Sequence, residues 1–306
     1  MRHFLTLLDI TPEEARHILK RAAKIKRKLR LGKSHHVLAG KTLGMIFDKA
    51  STRTRVSFEV GMYQLGGHAL FLNSETTQLG RGEPVADSAR VLSSMVDGVM
   101  IRTYGHEIVQ EFAKHSSVPV INGLTDLTHP CQVLADVFTY EEKRGSIEGT
   151  TVAWIGDGNN MAHSWVNGAV SFGYRLNIAC PPDYCPDEKF LDAARAVGAQ
   201  ITHCDSPIEA ATGADIVSTD VWASMGMEDE QAKREKAFAG FQVDARVMSF
   251  AKPDALFMHC LPAHRGEEVD SSVIDGPQSV VWDEAENRLH AQKALLEFLL
   301  ADKEAE

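Results

Sequence analysis

Short apolar runs alternate with helix-like patterns along the first half of the chain. The apolar runs at 41–47, 97–103 and 118–123 predict strands, and the segments 53–65, 106–115 and 131–145 predict helices. An earlier amphipathic helix is predicted after an N-cap at Thr11, with Pro12 at its first position. Strands and helices that alternate in this way are typical of a parallel sheet with helices on its faces.

The same alternation restarts in the second half of the chain. Strands are predicted at 150–158, 175–181, 214–222 and 255–262, with helices between them. The polar segment KRGSIEGT, at 143–150, is the best candidate for a domain boundary. We therefore predict an α/β protein of two doubly wound parallel-sheet domains joined by interdomain helices. The predicted domains cover 1–147 and 148–306, and the last helix, about 286–300, is expected to pack back on the first domain.

Composition excludes several classes of protein. The 306 residues are 44% hydrophobic and 24% charged, as in an ordinary globular protein. A net charge of −10 does not suit a nucleic-acid-binding face, so any anion site must gain its positive potential from a few converging arginines. No apolar stretch reaches the ~18 residues that span a bilayer. Five cysteines, an odd number, and a start without signal-peptide features predict reduced thiols and a cytoplasmic location.

The motif Ser51-Thr52-Arg53-Thr54-Arg55 follows a predicted strand and opens a predicted helix. A helix N-terminus offers unpaired N–H groups and the positive end of the helix dipole. Arginine side chains bind phosphate bidentately, and hydroxyl groups fill the remaining acceptor sites. The motif therefore predicts a phosphate site, and the alternative is an N-capped helix with exposed arginines.

Two histidine-containing motifs add candidate chemistry. In HPCQ, His129 is placed beside a predicted helix N-terminus, where a neutral imidazole can donate to a carbonyl oxygen and Gln132 can bind an amide-like group.

HCLP, at 259–262, ends an apolar strand, and doubly wound sheets bind ligands at such strand ends. Cys260 can serve there as a nucleophile, a metal ligand or a polarisable contact. Structural histidines are one alternative, and zinc is another, although the spacings match no zinc pattern.

Two turns in the second half also carry candidate residues. GDGNNM, at 156–161, begins like a dinucleotide fingerprint, but Met161 replaces the third glycine and the next strand ends without the acidic residue expected for a ribose. Dinucleotide binding is the runner-up interpretation, whereas two adjacent asparagines suit the backbone groups of an amino acid. In DVWASMG, at 220–226, Asp220 can meet an ammonium group and Ser224 a polar head group. A loop with a capping aspartate is the alternative.

Together the motifs closely resemble those of ornithine carbamoyltransferases, within the aspartate/ornithine carbamoyltransferase family. STRTR, HPCQ, GDGNNMAHSW, DVWASMG and HCLPAHRGEE occur in the order found in that family, and LGGHALFLNS, TTQLGRGEP and WDEAENRLHAQKALL match as well. The resemblance covers nearly the whole chain. STRTR and HPxQ are shared with aspartate carbamoyltransferases, while DxWxSMG and HCLP mark the ornithine half. The intact SMG loop argues against relatives that use acetylornithine or putrescine.

The resemblance implies roles for individual residues. Those expected to bind carbamoyl phosphate are Ser51, Thr52, Arg53, Thr54, Gln78, Arg102, His129, Gln132, Cys260, Leu261 and Arg288. Those expected to bind ornithine are Asn160, Asp220, Ser224 and Met225. Catalytic roles are expected for Arg102, His129, Asp220 and Cys260. Gln78 looks like the family's loop residue that reaches the phosphate site of a neighbouring subunit.

The resemblance also implies a reaction. The carbamoyl group of carbamoyl phosphate moves to the side-chain amine of L-ornithine, giving L-citrulline and phosphate, without a metal or organic cofactor. Expected partners are the two substrates and further copies of the chain, in a homotrimer or a multiple of trimers, with no nucleic acid and no membrane. A NAD-dependent enzyme and a catalytically inactive relative are the remaining alternatives. The sequence leaves open whether the enzyme serves arginine synthesis or breakdown.

Overall fold

The computed structural model of the chain describes residues 2–74, 82–223 and 230–302. Contacts divide these residues into two compact units. Unit 1 holds the described residues within 1–138 and 286–306, and unit 2 holds those within 139–285. Both crossings between the units, at 138–139 and at 285–286, fall inside a helix rather than in a linker.

Unit 1 contains a four-stranded parallel sheet in the order β2-β1-β3-β4. The strands are β1 (Thr42–Phe47), β2 (His68–Asn73), β3 (Gly98–Arg102) and β4 (Val120–Leu124). The helices that begin in this unit are α1 (Pro12–Arg30), α2 (Thr52–Gln64), α3 (Val85–Ser93), α4 (His106–His115) and α5 (Pro130–Arg144). A short 3-10 helix covers Leu7–Asp9.

Unit 2 contains a five-stranded parallel sheet in the order β7-β6-β5-β8-β9. Its strands are β5 (Thr151–Ile155), β6 (Arg175–Ala179), β7 (Ile201–His203), β8 (Ile216–Thr219) and β9 (Leu256–His259). Its helices are α6 (Asn160–Phe172), α7 (Glu188–Ala196), α8 (Pro207–Ala211), α9 (Gln231–Ala237), α10 (Ala245–Met248), α11 (Ser271–Ile274) and the start of α12 (Val281–Leu300). A 3-10 helix covers Pro182–Tyr184.

The central strands of both sheets are apolar along nearly their whole length because helices cover both faces of a parallel sheet. Every residue of β3 and β8 is buried, as are all residues of β1 and β5 except the first. The edge strand β9 is fully buried as well. Ile46 and Ile101 lie side by side in β1 and β3 and belong to the core of unit 1 with Phe112 of α4. Val217 and Phe257 are the corresponding pair in unit 2.

The predicted fold class is confirmed, since both sheets are parallel and flanked by helices. The predicted strands and helices named from the sequence are all present, with ends shifted by a few residues. Thr11 caps α1 through a reciprocal capping box with Glu14, and Pro12 is the first helical residue. Two strands were missed, β2 and β7. Both lie at sheet edges, and neither contains a fully buried residue. The apolar run ALFL, at 69–72, was a usable signal for β2, whereas β7 has only three residues and exposes two of them.

The order of the strands decides where ligands can bind. In unit 1 the chain winds outward in opposite directions from the adjacent strands β1 and β3, and in unit 2 from β5 and β8. Doubly wound sheets bind ligands outside the carboxyl ends of such a pair of strands. STRTR follows β1 and Arg102 ends β3, while GDGNN follows β5 and Asp220 follows β8. Within the described ranges, none of the helices combines the length and the apolar character that a membrane crossing requires.

Candidate active site

The N-terminus of α2 lies at the ligand-binding edge of the sheet in unit 1. Ser51 is the N-cap of α2, and its hydroxyl accepts a hydrogen bond from the backbone N–H of Thr54 at 3.2 Å. Arg102, the last residue of β3, is buried, and Arg53 on the first turn of α2 is half-buried. Helix N–H groups, hydroxyls and guanidiniums therefore occur together at adjacent strand ends, which is an arrangement suited to a phosphate.

His129 lies among three arginines of the same unit. It directly precedes α5 and is only 4% exposed. Burial lowers the pKa of His129 well below its usual value, and the positive charges of Arg288, Arg102 and Arg53 lower it further. The imidazole is therefore neutral near physiological pH. A neutral imidazole can donate a hydrogen bond to a carbonyl oxygen without adding a further charge to the arginine cluster.

Arg288 of α12 connects the STRTR and HPCQ motifs, which both lie in unit 1. Its Nη1 donates to Oε1 of Gln132 at 2.7 Å, and its Nη2 donates to the hydroxyl of Thr54 at 3.1 Å. The amide nitrogen of Gln132 donates in turn to the carboxylate of Asp136 at 2.8 Å. Asp136 orients Gln132 and was missed from the sequence, although two polar residues four apart in the otherwise apolar stretch 130–138 were a usable signal.

Asp220 is the centre of the arrangement in unit 2. One carboxylate oxygen accepts from the backbone N–H of Val221 at 2.8 Å and from the thiol of Cys260 at 3.2 Å. The other oxygen accepts from the side-chain amide of Asn159 at 3.0 Å. These three donors hold the carboxylate in one orientation at the carboxyl ends of β8 and β9. A carboxylate has about four lone-pair positions, so capacity remains for an ammonium group.

Asn159 has a second role, which the sequence analysis did not assign. It is the N-cap of α6, and its side-chain oxygen accepts from the N–H groups of Met161 at 2.9 Å and Ala162 at 3.3 Å. Asn160, the predicted ornithine contact, is the first residue of α6 and is half-buried. The turn before α6 requires glycine at 158, because a Cβ there would lie 2.3 Å from the backbone nitrogen of Pro186.

The turn after β9 is held by a buried histidine–glutamate pair. Nδ1 of His259 accepts from the N–H of Leu261 at 2.9 Å, so Nε2 carries the proton and donates to Glu268 at 3.0 Å. Leu261 has a φ of 59°, which is unusual for a residue with a side chain and typical of functional turns. The bond to His259 stabilises that conformation beside Cys260. Glu268 was missed because it lies after the HCLP motif, within a polar loop sequence.

A buried ion pair joins the turn after β5 to the segment after β8. Arg234 of α9 donates from Nη1 to Asp157 at 2.9 Å and to the backbone oxygen of Trp222 at 2.8 Å, while its Nε donates to Glu230 at 3.1 Å. Its guanidinium also lies 4.9 Å from the centre of the Tyr184 ring. Burial raises the pKa of Asp157 to about 6, and the charge of Arg234 opposes that rise. This pair holds two segments that carry candidate ornithine contacts.

Replacing Arg234 by methionine should destabilise the protein more at alkaline than at acidic pH. The variant leaves Asp157 buried without its counter-ion, and breaking a buried pair costs about 3 kcal/mol or more at about pH 8. Without the guanidinium the pKa of Asp157 rises above its present value of about 6. The carboxyl is then neutral at about pH 5, so the loss of stability shrinks there. Urea unfolding at both pH values measures the difference.

The matched control is Arg234→Met combined with Asp157→Asn. The amide does not titrate, so the loss of stability in this double variant should be nearly independent of pH. If Arg234→Met lowers the free energy of unfolding by the same amount at both pH values, the result would contradict a role for the buried carboxylate of Asp157.

Most of the predicted site residues occur in these two arrangements. Unit 1 contains Ser51, Thr52, Arg53, Thr54, Arg102, His129, Gln132 and Arg288, and unit 2 contains Asn160, Asp220, Cys260 and Leu261. Gln78, Ser224 and Met225 lie outside the described residues. Asp157, Asn159, Arg234 and Glu268 are additional residues that tertiary contacts bring to the site.

Two groups of potential metal ligands occur in the described part of unit 2. Asp220, His259 and Cys260 bring ligand atoms within 4.8 Å of one another, as do His264, Glu267 and Glu268. In the first group both nitrogens of His259 are already engaged, one as acceptor and one as donor. In this arrangement the imidazole of His259 therefore stabilises the turn after β9 and does not act as a metal ligand.

Two family models together match nearly the whole chain. Residues 2–142 match the carbamoyl-P binding domain of the aspartate/ornithine carbamoyltransferases, and residues 148–299 match the Asp/Orn binding domain of the same family. The first match includes His129 with Arg53 and Arg102, and the second includes the network around Asp220 and also Arg288.

Individual relatives agree with the family models. The ornithine carbamoyltransferase of Halorhodospira halophila is 61% identical over 300 residues, covering 98% of this chain and 99% of the relative. That of Hydrogenovibrio crunogenus is 59% identical over 301 residues, with the same coverage. Among solved structures, the ornithine carbamoyltransferase of Pyrococcus furiosus has a TM-score of 0.94 at 53% identity, covering 98% of this chain and 97% of that one. That of Burkholderia thailandensis has a TM-score of 0.91 at 55% identity, covering 98% and 99%.

Proposed function

The chain belongs to the aspartate/ornithine carbamoyltransferase family, and we propose that it transfers the carbamoyl group of carbamoyl phosphate to the side-chain amine of L-ornithine, giving L-citrulline and phosphate. The observation that carries this proposal is the cluster of Arg53, Arg102 and Arg288 around a buried, neutral His129. The phosphate group and the carbonyl oxygen of carbamoyl phosphate both need donors of this kind.

Carbamoyl phosphate is assigned to the first predicted domain, residues 1–147. Ser51, Thr52, Arg53 and Thr54 would bind the phosphate together with Arg102, using the backbone N–H groups at the start of α2 and the helix dipole. His129 and Gln132 would bind the carbamoyl end together with Arg288 of α12, which lies outside 1–147 but belongs to unit 1. The hydrogen bonds from Arg288 to Gln132 and from Gln132 to Asp136 support this assignment, because they hold the side-chain amide in one orientation.

Ornithine is assigned to the second predicted domain, residues 148–306. Asp220 would pair with the α-ammonium group, and Asn160, Ser224 and Met225 would contact the α-amino and α-carboxylate groups. The three donors already on the Asp220 carboxylate support its role, since they orient it toward a single further partner. Arg234 and Asn159 would act as positioning residues for that carboxylate.

The reaction follows from these groups. The neutral side-chain amine attacks the carbamoyl carbon, and a tetrahedral oxyanion forms. Arg102, His129 and Thr54 donate to that oxygen, as in an oxyanion hole. The carbon–oxygen bond to phosphate then breaks, and the proton lost by the attacking nitrogen passes to the leaving phosphate, which Arg53, Arg102 and the helix end stabilise. Positioning of two reactants can lower the barrier by ~7–11 kcal/mol, so no covalent enzyme intermediate is required.

A colorimetric citrulline assay tests the proposal most directly. The purified protein should form citrulline only when both carbamoyl phosphate and ornithine are present, and should release one phosphate for each citrulline. A protein that binds both substrates and forms no citrulline would be an inactive relative. Activity that depends on added NAD would instead favour the dinucleotide interpretation of the GDGNNM turn.

Turnover should rise from about pH 6 to about pH 8, with one main ionisation on the acidic limb. The attacking amine must be neutral, and a free alkyl amine has a pKa near ~10.4. Burial in a site lowers that value, because burial disfavours the charged form. The lowered pKa of His129 keeps the imidazole neutral across this range, so it adds no second limb. A flat profile between these pH values would mean that loss of the amine proton does not limit the rate.

Cys260→Ser tests whether the thiol takes part in proton transfer. The Cys260 thiol donates to the Asp220 carboxylate at 3.2 Å, so it is in contact with the proposed ornithine partner. The variant should weaken ornithine binding and shift the acidic limb while leaving the KM for carbamoyl phosphate nearly unchanged. An unchanged pH profile would exclude a proton role for Cys260.

The wider setting is proposed from the family resemblance. We infer a cytoplasmic homotrimer, or a multiple of trimers, that serves arginine biosynthesis. The odd number of cysteines supports the reducing compartment. Gln78, outside the described residues, lies in the segment TTQLGRGEP and is assigned to the phosphate site of a neighbouring subunit.

Mixing two inactive variants should restore part of the activity if sites are shared. Gln78→Ala damages the contribution to a neighbour, and Arg53→Ala damages the subunit's own phosphate site. After subunit exchange, some sites combine an intact Arg53 from one chain with an intact Gln78 from another. Activity of the exchanged mixture, compared with each variant alone, measures the effect. No recovery despite proven exchange would mean that each site is built within one chain.

A further inference from the structure

His264, Glu267 and Glu268 form a cluster of potential metal ligands on the loop after β9. One ligand atom from each side chain lies within 4.8 Å of the other two. The loop folds back on itself here. The N–H of Glu267 donates to the backbone oxygen of His264 at 3.0 Å, and the N–H of Gly266 donates to that of Val269 at 2.9 Å. Gly266 permits this reversal, since its φ is 93°. A tight turn therefore brings the three side chains together.

One carboxylate oxygen of Glu268 is buried without a hydrogen bond. The residue is fully buried, and its Oε1 accepts from the N–H of His264 at 2.7 Å and from Nε2 of His259 at 3.0 Å. Its Oε2 is buried too, yet it accepts no hydrogen bond from any of the described residues. Buried polar atoms normally have a partner, and a bound ion is one way to supply it. A cation among the three side chains would satisfy this oxygen.

The two carboxylates of the cluster have no permanent positive charge beside them. Within the parts of the chain that the structure describes, their ion-pair partners are histidines, and neither Glu267 nor Glu268 pairs with a lysine or an arginine. The neighbouring Arg265 instead pairs with Asp275 at 2.8 Å. Like charges held this close repel each other, and a divalent cation between them removes the repulsion. Charge therefore favours the same occupant as the unsatisfied oxygen.

The donor set suits zinc better than calcium or magnesium. Zinc sites combine imidazole nitrogens with carboxylate oxygens, and three protein ligands leave a position for water. Calcium and magnesium prefer oxygen ligands alone. Neighbouring side chains orient the ligands, since Nε2 of Gln231 donates to Glu267 at 3.0 Å and Nε2 of His259 donates to Glu268. The side chains of His264 and Glu267 are 46% and 32% exposed, so an ion can enter from solvent.

We propose that His264, Glu267 and Glu268 bind a divalent cation of the zinc class, which stabilises the turn after β9. The connection to the turn passes through Glu268. This carboxylate accepts from Nε2 of His259, whose Nδ1 accepts from the N–H of Leu261 at 2.9 Å. An ion bound to Oε2 fixes the carboxylate, and with it the imidazole and the backbone of Leu261. None of the three ligands is assigned to a substrate, so the site goes beyond the proposed function.

Calorimetric titration with zinc chloride tests the site directly. The full chain, produced without a histidine tag and freed of metal by dialysis against EDTA, should bind one zinc ion at this cluster. His264→Ala and Glu267→Gln should each weaken binding at least about tenfold, since loss of an outer partner alone costs about 10–100-fold. Zinc should raise the Tm of the unmodified protein, and should raise that of His264→Ala by less, because an ion that binds the folded state stabilises it.

His115→Ala is the matched control for these variants. His115 pairs with Glu111 at 2.9 Å, which is a histidine–glutamate pair like that of His264 and Glu267. Among the described residues, however, no third ligand joins the pair. The control should therefore bind zinc with the affinity of the unmodified protein.

Cobalt(II) in place of zinc distinguishes the cluster from the other group of candidate ligands. Asp220, His259 and Cys260 include a thiol, and a thiolate ligand adds a charge-transfer band to the cobalt spectrum. We expect d–d bands without that charge-transfer band. Hydrogen exchange at the amide of Leu261 should also slow when zinc is bound, because its acceptor on His259 is then held more firmly.

Any of three results would overturn the proposal. The first is no zinc binding, or a zinc affinity that His264→Ala and Glu267→Gln both leave unchanged. The second is a thiolate charge-transfer band that disappears in Cys260→Ser. The third is exchange at Leu261 that bound zinc does not slow. All of these measurements use the full chain without substrate, so they decide the metal site whether or not the protein forms citrulline.

Discussion

Arg53→Ala is expected to abolish tight binding of carbamoyl phosphate while leaving the protein folded. Arg53 lies on the first turn of α2, and its positive charge contributes to the lowered pKa of the buried His129. Its guanidinium adds a bidentate, charge-assisted donor to the helix N–H groups at the place where phosphate charge develops. Removing one donor of this kind lowers enzyme rates on the order of 10²–10³-fold. We expect a loss of at least this size in kcat/KM for carbamoyl phosphate.

The matched control for this prediction is Arg55→Ala on the same helix. Arg55 is exposed, pairs with Glu59 at 2.9 Å, and lies 3.8 Å above the ring of Phe71. Its removal should change kcat/KM only slightly and should cost no more stability than an exposed ion pair, about 0.5 kcal/mol. Arg53→Lys should remain poor, because lysine cannot supply the planar fork. An Arg53→Ala enzyme with normal affinity and turnover would remove Arg53 from the phosphate site.

Asp220→Asn is expected to remove most of the affinity for ornithine and much of the discrimination between acceptors. The carboxylate is buried and held by Cys260, Asn159 and the N–H of Val221. Loss of one partner of a buried charge pair costs ~2–5 kcal/mol, which corresponds to roughly 30- to several thousand-fold in kcat/KM. The KM for carbamoyl phosphate should change little, because the contacts described for Asp220 all lie in unit 2.

Comparison of acceptors completes this prediction. Acetylornithine lacks the α-ammonium charge that would pair with Asp220, and putrescine lacks both α-groups. The unmodified enzyme should therefore show negligible turnover with acetylornithine, putrescine or aspartate. Asp192→Asn is a suitable control, since Asp192 is an exposed residue of α7 that pairs with Arg195. Equal turnover of ornithine and putrescine by the unmodified enzyme would refute the role of Asp220.

The sequence was sufficient to predict the parts of the fold whose physical signal is local. A continuous apolar run such as GMIF in β1 indicates a strand covered on both faces, because few other structures bury every side chain. Thr11 followed by Pro12 and Glu14 indicates the start of α1, because side chain and backbone form a capping box over four residues. The order of strands and helices then limits the topology to a parallel sheet. The motifs likewise predicted which strand ends carry polar side chains.

The edge strands show where local signals are too weak. β7 has three residues, two of them exposed, and β2 has two exposed residues and none that is fully buried. These two strands pair with one neighbour each and bury their own side chains only in part. Such pairing partners are distant in sequence, as Leu43 of β1 and Ala69 of β2 are, so the pattern within the strand does not reveal them.

The sequence by itself determined the family, the fold class, and the residue types available at the carboxyl ends of the strands. Only the tertiary structure decided which side chains hold those residues in place. Arg234 pairs with Asp157 across 77 positions of sequence, and Arg288 reaches Thr54 across 234. The lowered pKa of His129 likewise depends on burial and on arginines from three separate segments. Hydrogen bonds and charge interactions act over a few ångströms in space, and folding alone brings such distant positions within that range.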